Sequence, residues 1–218
     1  MLPKLKDLLN FNLNKITYSD EVKPKHQKRM SMQPELISDD MRIPHRPFPE
    51  NSSKETQKEL QWLVNYNNGN INEKFVEAGD NVKKIFEEYC KKNNLEYDKD
   101  YYKQVVHEST KTILSLKYYY NRPRPFQLAK FYGIKEFENY TLPSMKTPSY
   151  PSGHSTQGYL MAELLGRKYP KHYDNFQKLG NMISHSRLMA RAHYPSDCKF
   201  GKEVGKQIAG KVIQKKND

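Results

Sequence analysis

Several features that mark familiar protein classes are scarce in this chain of 218 residues. It has two cysteines, Cys90 and Cys198, and neither sits in a CxxC or zinc-type spacing. A disulfide framework or a zinc site therefore has no basis in the sequence. The expectation is two buried or half-buried thiols in a reducing compartment, with a single disulfide between them as the alternative. No run approaches the roughly 20 apolar residues needed to span a bilayer. The most apolar windows, Thr112–Leu116 and Tyr159–Leu165, are short or interrupted by charge. The opening MLPKLKDLLNFNLNKI contains lysines but no unbroken apolar stretch, because Lys4, Lys6 and Asp7 interrupt it. No secretory signal is read there, so a cytoplasmic protein without stable membrane insertion is expected. Arginine is also sparse: 8 of the 37 basic residues, the rest being lysine.

What is present is positive charge and tyrosine. The net charge is +12 and mean hydropathy is −0.98, yet aromatics reach 12% and include 16 tyrosines, so the composition is not that of a disordered chain. Such charge suits nucleic acid, an anionic membrane surface or a small anionic substrate. Neither a known nucleic-acid motif nor an aromatic-basic repeat supports the first, and no nucleic-acid partner is expected. Lysine spread along helices is ordinarily a solvated surface. Arginine is the better fork for phosphate oxygens, and four of the eight arginines fall at Arg122, Arg124, Arg187 and Arg191.

Residues 1–47 read as an arm. Leu2, Leu5, Leu8 and Leu9 allow one short amphipathic helix, and Pro24, Pro34, Pro44 and Pro47 then favour extended segments. Residues 48–218 read as one helical domain. Asn51-Ser52-Ser53 offers an N-cap for a helix through Leu60, Leu63 and Val64 that ends near Asn68-Gly69. Phe75, Val82, Ile85, Phe86 and Tyr89 predict a second helix. Asp98 or Asp100 caps a third, through Val105, Val106, Ile113, Leu116 and Tyr120, which stops at Asn121. A loop over about 133–152 precedes helices predicted at about 153–169, 171–192 and 197–215. Sustained period-two alternation is missing, so the fold class is all-α, a single helical bundle.

Three segments carry chemistry. In Lys117-Tyr-Tyr-Tyr-Asn-Arg-Pro-Arg124-Pro, a point charge near a helix end is followed by a rigid fork after a proline-stiffened turn. Together these can grip different oxygens of one phosphate. Pro151-Ser152-Gly153-His154 sits where a loop enters a helix. Helix N-termini bind anions through unpartnered N–H groups, glycine permits close approach, and Ser152 and His154 add donors. Ser186-Arg187 precedes His193 and Asp197. A carboxylate at that distance can accept from Nδ1 and leave Nε2 free to attack. Each segment alone could be an ordinary helix terminus. All three in this order are hard to obtain by coincidence.

On these residues the chain resembles the type 2 phosphatidic acid phosphatase superfamily, which includes bacterial non-specific acid phosphatases and vanadium-dependent haloperoxidases. Its signature is Lys-x6-Arg-Pro, Pro-Ser-Gly-His and Ser-Arg-x5-His-x3-Asp, all matched here. The surroundings NRPRPFQLA, TPSYPSGHST and HYPSDCKFGKEVG also look like the soluble members, so the resemblance covers about residues 48–214. It implies a helical phosphatase acting on a small phosphorylated substrate. Lys117, Arg124 and Arg187 would hold the non-bridging oxygens, and Ser152 with the Gly153 N–H would complete the cradle. His193 would attack phosphorus and become a phosphohistidine, oriented by Asp197. His154 would protonate the leaving alkoxide and then activate water. The resemblance implies no metal and no cofactor, the cationic side chains supplying the electrostatic stabilisation, with vanadate binding as an inhibitory phosphate analogue.

Alternatives remain open at this stage: action on a lipid or isoprenoid diphosphate at a membrane surface, or vanadium-dependent halide oxidation. A homo-oligomer is compatible with the sequence. Arg122 and Arg191, beside signature residues, read as surface. His107-Glu108 reads as helix surface, His185 as core, and Tyr118, Tyr119 and Tyr120 as packing between helices.

Overall fold

The computed structural model describes residues 12–40, 42–43, 45–134 and 137–213. The leucine-bearing helix expected at the start of the arm lies outside them. The elements are α1 (Pro24–Met30), α2 (Lys54–Asn65), α3 (Glu73–Ala78), α4 (Val82–Lys92), α5 (Lys99–Tyr120), α6 (Pro125–Ala129), α7 (Gly153–Lys168), α8 (Tyr173–Met189) and α9 (Pro195–Ala209), with short 3-10 turns between them. Among the described residues there is no strand, only an isolated antiparallel bridge between Ile37 and Val212. The fold is all-α, as expected. No described helix is long and apolar enough to cross a membrane.

Local chemistry sets the boundaries. Ser53 Oγ accepts from Thr56 N and starts α2. Asp98 accepts from Tyr101 N and starts α5, which Asn121 closes in the left-handed region at φ 46°. Prolines open α1, α6 and α9, where the N–H they lack would have had no helical partner.

The second predicted helix is two. It divides at Gly79-Asp80-Asn81, where Asn72 caps α3 and Asn81 caps α4, so side-chain acceptors end one helix pattern and begin another. The helix predicted to reach residue 192 stops at Met189, because Arg191 turns left-handed at φ 52° and lifts His193 out of helical register. The last helix starts at Pro195 and ends at Ala209. Its expected continuation pairs with the arm instead: Ser38 N donates to Lys211 O (3.1 Å) and Ile213 N to Leu36 O (2.8 Å).

The arm packs on the body. The buried Glu108 carboxylate accepts from Leu36 N at 2.8 Å and Ile37 N at 3.1 Å, and His26 of α1 meets Tyr118 of α5 at 2.6 Å. His107 contacts Arg29 at 2.9 Å. The pair read as helix surface is therefore the arm's anchor. Both cysteines are free and buried, as expected of thiols.

α7 is the central element, buried on most of its circumference and flanked by α8 and α9. Val82, Phe86, Phe176, Ile183, Met161 and Leu165 fill one side, and Val105, Leu160, Phe200, Val204 and Ile208 the other. The α7–α9 backbones approach so closely that a Cβ on Gly205 would lie 2.3 Å from Thr156 O. This contact sets α9, which carries Asp197, against the start of α7, where Ser152 N donates to Asp197 O at 3.0 Å.

Gly205→Ala should therefore overpack the α7–α9 seam. A loss of about 1–3 kcal/mol is expected, seen as a fall of roughly 2–12 °C in Tm. An unchanged Tm would mean that the seam is slack.

Candidate active site

Three chain segments converge at the start of α7. The end of α5 supplies Lys117, and the turn after it supplies Arg122 and Arg124. The 147–154 loop and helix start supply Ser149, Ser152, Gly153 and His154. The end of α8 and the start of α9 supply Arg187, His193 and Asp197. Lys117, Arg124, Ser152, Arg187, His193 and Asp197 are buried, while Gly153 and His154 are half-buried. The structure thus brings every sequence-predicted site residue into one region.

His193 and Asp197 form a dyad, Nδ1 donating to Oδ2 at 3.2 Å. That bond assigns the proton to Nδ1. Arg124 Nη1 lies 3.0 Å from Nε2 and 3.5 Å from Nδ1, so its guanidinium sits over the face of the ring. With the proton on Nδ1, Nε2 keeps its lone pair in the ring plane, beside the Arg124 fork. Burial and the Arg124 charge push the His193 pKa well below its usual value, against the raising effect of Asp197. Both lowering effects favour the neutral imidazole.

Asp197 keeps its charge despite complete burial. Burial alone would raise its pKa, but Arg122, His193 and Ser149 hold it well below the ordinary carboxylate range. Arg122 Nη1 donates to Oδ1 at 2.6 Å, Tyr194 N donates to Oδ2 at 3.0 Å, and the Ser149 hydroxyl donates to Oδ2. Arg122 was expected at the surface. It is wholly buried, bridging Asp197 and Glu59 (3.0 Å) with its guanidinium 3.7 Å from the Tyr194 ring centre. Arg191, also read as surface, is buried too. Its guanidinium donates to the carbonyls of Glu138, Val64 and Gly69, tying loops together away from the dyad. Chain position alone misleads here, because an arginine next to a turn can be drawn inward when carbonyls or carboxylates line its path.

Carbonyl oxygens hold two of the cradle cations. Lys117 Nζ donates to Pro148 O at 2.5 Å, and Arg124 donates to Thr147 O at 2.9 Å and Ala192 O at 2.7 Å. Burial pushes both pKa values down, that of Arg124 to about 10. Ser152 caps α7 and its Oγ accepts from Ser155 Oγ at 3.0 Å, which leaves its own hydrogen available to an incoming anion.

Arg187 and His154 share a partner that sequence reasoning missed. Arg187 Nη1 donates to Asp80 Oδ1 at 2.8 Å, and His154 Nε2 lies 3.3 Å from the same oxygen and 3.1 Å from Asp80 O. Hydrogen bonding to His154 and the charge of Arg187 bring the Asp80 pKa down to about 2 against the opposing effect of burial. Burial pulls the His154 pKa down, and Asp80 pulls it back up. Both acceptors face Nε2, so Nε2 carries the hydrogen and Nδ1 is the nitrogen left for exchange. Asp80 sits in the break between α3 and α4. There a Cβ on Gly79 would come within 2.0 Å of Ser186 Oγ, so the loop passes hard against the segment bearing Arg187. The one signal of this in the sequence was the Gly79-Asp80-Asn81 triplet inside a helical pattern.

Comparison with known proteins places the same segments in a shared context. The model of the PAP2 superfamily matches residues 106–213. A non-specific acid phosphatase of Salmonella typhimurium is 36% identical over 91 residues, 42% of this chain and 36% of that protein. A non-specific acid phosphatase of Providencia stuartii is 34% identical over 84 residues, 38% of this chain and 33% of that protein. An acid phosphatase of Zymomonas mobilis is 39% identical over 56 residues, 26% of this chain and 21% of that protein. The matched stretches thus span about a third of these relatives' own length or less.

Arg122→Met should leave Asp197 a buried charge without its counter-ion. The expected loss is about 3–5 kcal/mol in urea unfolding near neutral pH. The folded pKa of Asp197 is depressed, so this stabilisation is present above about pH 4 and disappears as pH falls below it. The gap between the two proteins should narrow in acid. A pH-independent gap would mean that Arg122 acts through packing alone.

Proposed function

The chain belongs to the PAP2 superfamily through residues 106–213, and from that premise we propose that it is a metal-independent acid phosphatase that hydrolyses phosphate monoesters through a phosphohistidine. The observation carrying this reading is the dyad that protonates Nδ1 and leaves Nε2 with its lone pair, 3.0 Å from Arg124. Arg124, Lys117 and Arg187 bind the non-bridging oxygens, with Ser152 Oγ and the Gly153 N–H at the positive end of α7. His193 Nε2 attacks phosphorus in line. Asp197 holds the ring and balances the positive charge that develops on it. Protonated His154 delivers its Nδ1 proton to the leaving oxygen. Once neutral, it takes a proton from the water that cleaves the P–N bond.

The same geometry accounts for acid chemistry. The lowered pKa of His193 favours the neutral ring that attack requires. His154 must be protonated, and its pKa is also lowered, so the competent state is lost as pH rises through that lowered value. The pH profile should therefore be a bell on the acid to neutral side, with its basic limb set by His154.

The central test is hydrolysis of p-nitrophenyl phosphate in the presence of a chelator, with vanadate as inhibitor. Turnover that depends on a divalent ion would overturn the reading. His193→Ala should abolish both turnover and acid-labile phosphoenzyme. Full activity in that variant would refute its role. Asp80→Asn removes the group that raises the His154 pKa, so the basic limb of kcat/KM should move to lower pH. A limb that moves upward or stays in place would remove Asp80 from the proton chemistry.

A further inference from the structure

The arm reaches the cradle from outside the residues 106–213 that the family model matches. At Tyr18 it crosses the turn after α5. Tyr18 N donates to Asn121 O at 2.9 Å, and Asn121 Nδ2 donates to Ser19 O at 2.7 Å. Gln127 ties the same stretch to Arg124: its Nε2 donates to Tyr18 O at 3.2 Å, and its Oε1 accepts from Arg124 N at 2.8 Å. The Tyr18 main chain is thus fixed to the turn from which the Arg124 side chain sets out.

The Tyr18 side chain ends elsewhere. Its hydroxyl donates to Met145 O at 3.0 Å, in the loop before α7. That loop holds the far end of Arg124. Nη2 donates to Ser144 O at 3.2 Å and to Thr147 Oγ1 at 3.3 Å, and Nε donates to Thr147 O at 2.9 Å. Lys117 Nζ donates to the next carbonyl along, Pro148 O. Met145 O therefore lies between the acceptors of Arg124, and Tyr18 spans the same gap that Arg124 spans, from the turn to the loop.

The phenol is suited to this place. Burial raises the Tyr18 pKa and the nearby Arg124 charge pulls it partly back, so the hydroxyl keeps its hydrogen to donate beside the guanidinium. The acceptors it braces belong to the short 3-10 turn Pro143–Met145 and the residues that follow. A shift of Met145 O carries Ser144 O and Thr147 O with it. The guanidinium they hold lies 3.0 Å from the attacking nitrogen of His193, so its aim matters to both binding and attack.

We infer that Tyr18 is a positioning residue of the phosphate cradle: its hydroxyl, acting through Met145 O, sets the loop carbonyls that aim Arg124. The arm is then part of the site as well as a wrapping of the body. The inference rests on the phosphatase reading in taking phosphate as the anion of this cradle.

The test is Tyr18→Phe, which removes the hydroxyl and keeps the ring. The first readout is the Kd of inorganic phosphate, measured by titration calorimetry on the folded protein, which needs no turnover. It should rise roughly three- to tenfold, the weight of one hydrogen bond, and kcat/KM for p-nitrophenyl phosphate should fall by at least as much. Glu108→Ala is the comparison, because it loosens the arm at Leu36 and Ile37, away from Tyr18. It should lower Tm and leave the Kd at the wild-type value. A Tyr18→Phe protein with wild-type Kd and kcat/KM overturns the inference, whatever its Tm. So does a Glu108→Ala protein whose Kd rises equally, since the arm would then act through its attachment as a whole. A wild type that binds phosphate, loses affinity on Tyr18→Phe and yet hydrolyses no ester refutes the phosphatase reading and leaves the positioning role standing. A wild type that binds no phosphate refutes both.

Discussion

The carboxylate of Asp197 is wholly buried and accepts hydrogen bonds from Arg122, Ser149, His193 and the Tyr194 N–H. A buried charge left without such partners would cost several kcal/mol or take up a proton. Its partners come from the turn after α5, the loop before α7 and the connection from α8 to α9, so satisfying this one group fixes those segments relative to each other. Glu59 extends the network to α2, through Arg122 and through Ser196, whose backbone N–H it accepts at 2.5 Å. The tautomer of His193 is a consequence: with Oδ2 facing Nδ1, the lone pair on Nε2 has one direction to point.

The cations around the dyad are partnered differently. Lys117 and Arg124 are oriented largely by backbone carbonyls, which hold a side chain in place but do not cancel its charge. The pKa values of both are pulled down by burial, the signature of charge that lacks compensation. An anion with several oxygens is the natural complement. Arg187 is the exception, because Asp80 faces it with a carboxylate that also touches His154. The site is therefore divided. Lys117, Arg124 and the dyad make a positive floor, while Asp80, Arg187 and His154 form a linked wall beside it.

Much of this was legible in the chain. The spacing of Lys117, Arg124, Ser152, Gly153, His154, Arg187, His193 and Asp197 has direct chemical meaning. The helices around them followed from caps and apolar periodicity. Asp80 was not legible because it lies in a helix break that apolar spacing carries straight through. Arg122 and Arg191 were read as surface because arginine usually is. Only the carboxylates and carbonyls of distant segments make burial favourable for them. The end of α8 was missed for a related reason: nothing local marks Arg191 as left-handed, and its guanidinium reaches carbonyls 53, 122 and 127 residues away in the chain.

By itself the sequence determined the all-α class, the boundaries capped by Ser53, Asp98 and Ser152, and the identity of the residues that converge on α7. These depend on short-range rules, in which a cap or an apolar stripe acts within a few residues of its own position. Tertiary structure alone decided which nitrogen of His193 is left without a proton, that Arg122 guards Asp197, and that Asp80 joins Arg187 to His154. Each of these is an electrostatic or packing contact between segments far apart in the chain. Its strength depends on burial, which only the folded state creates.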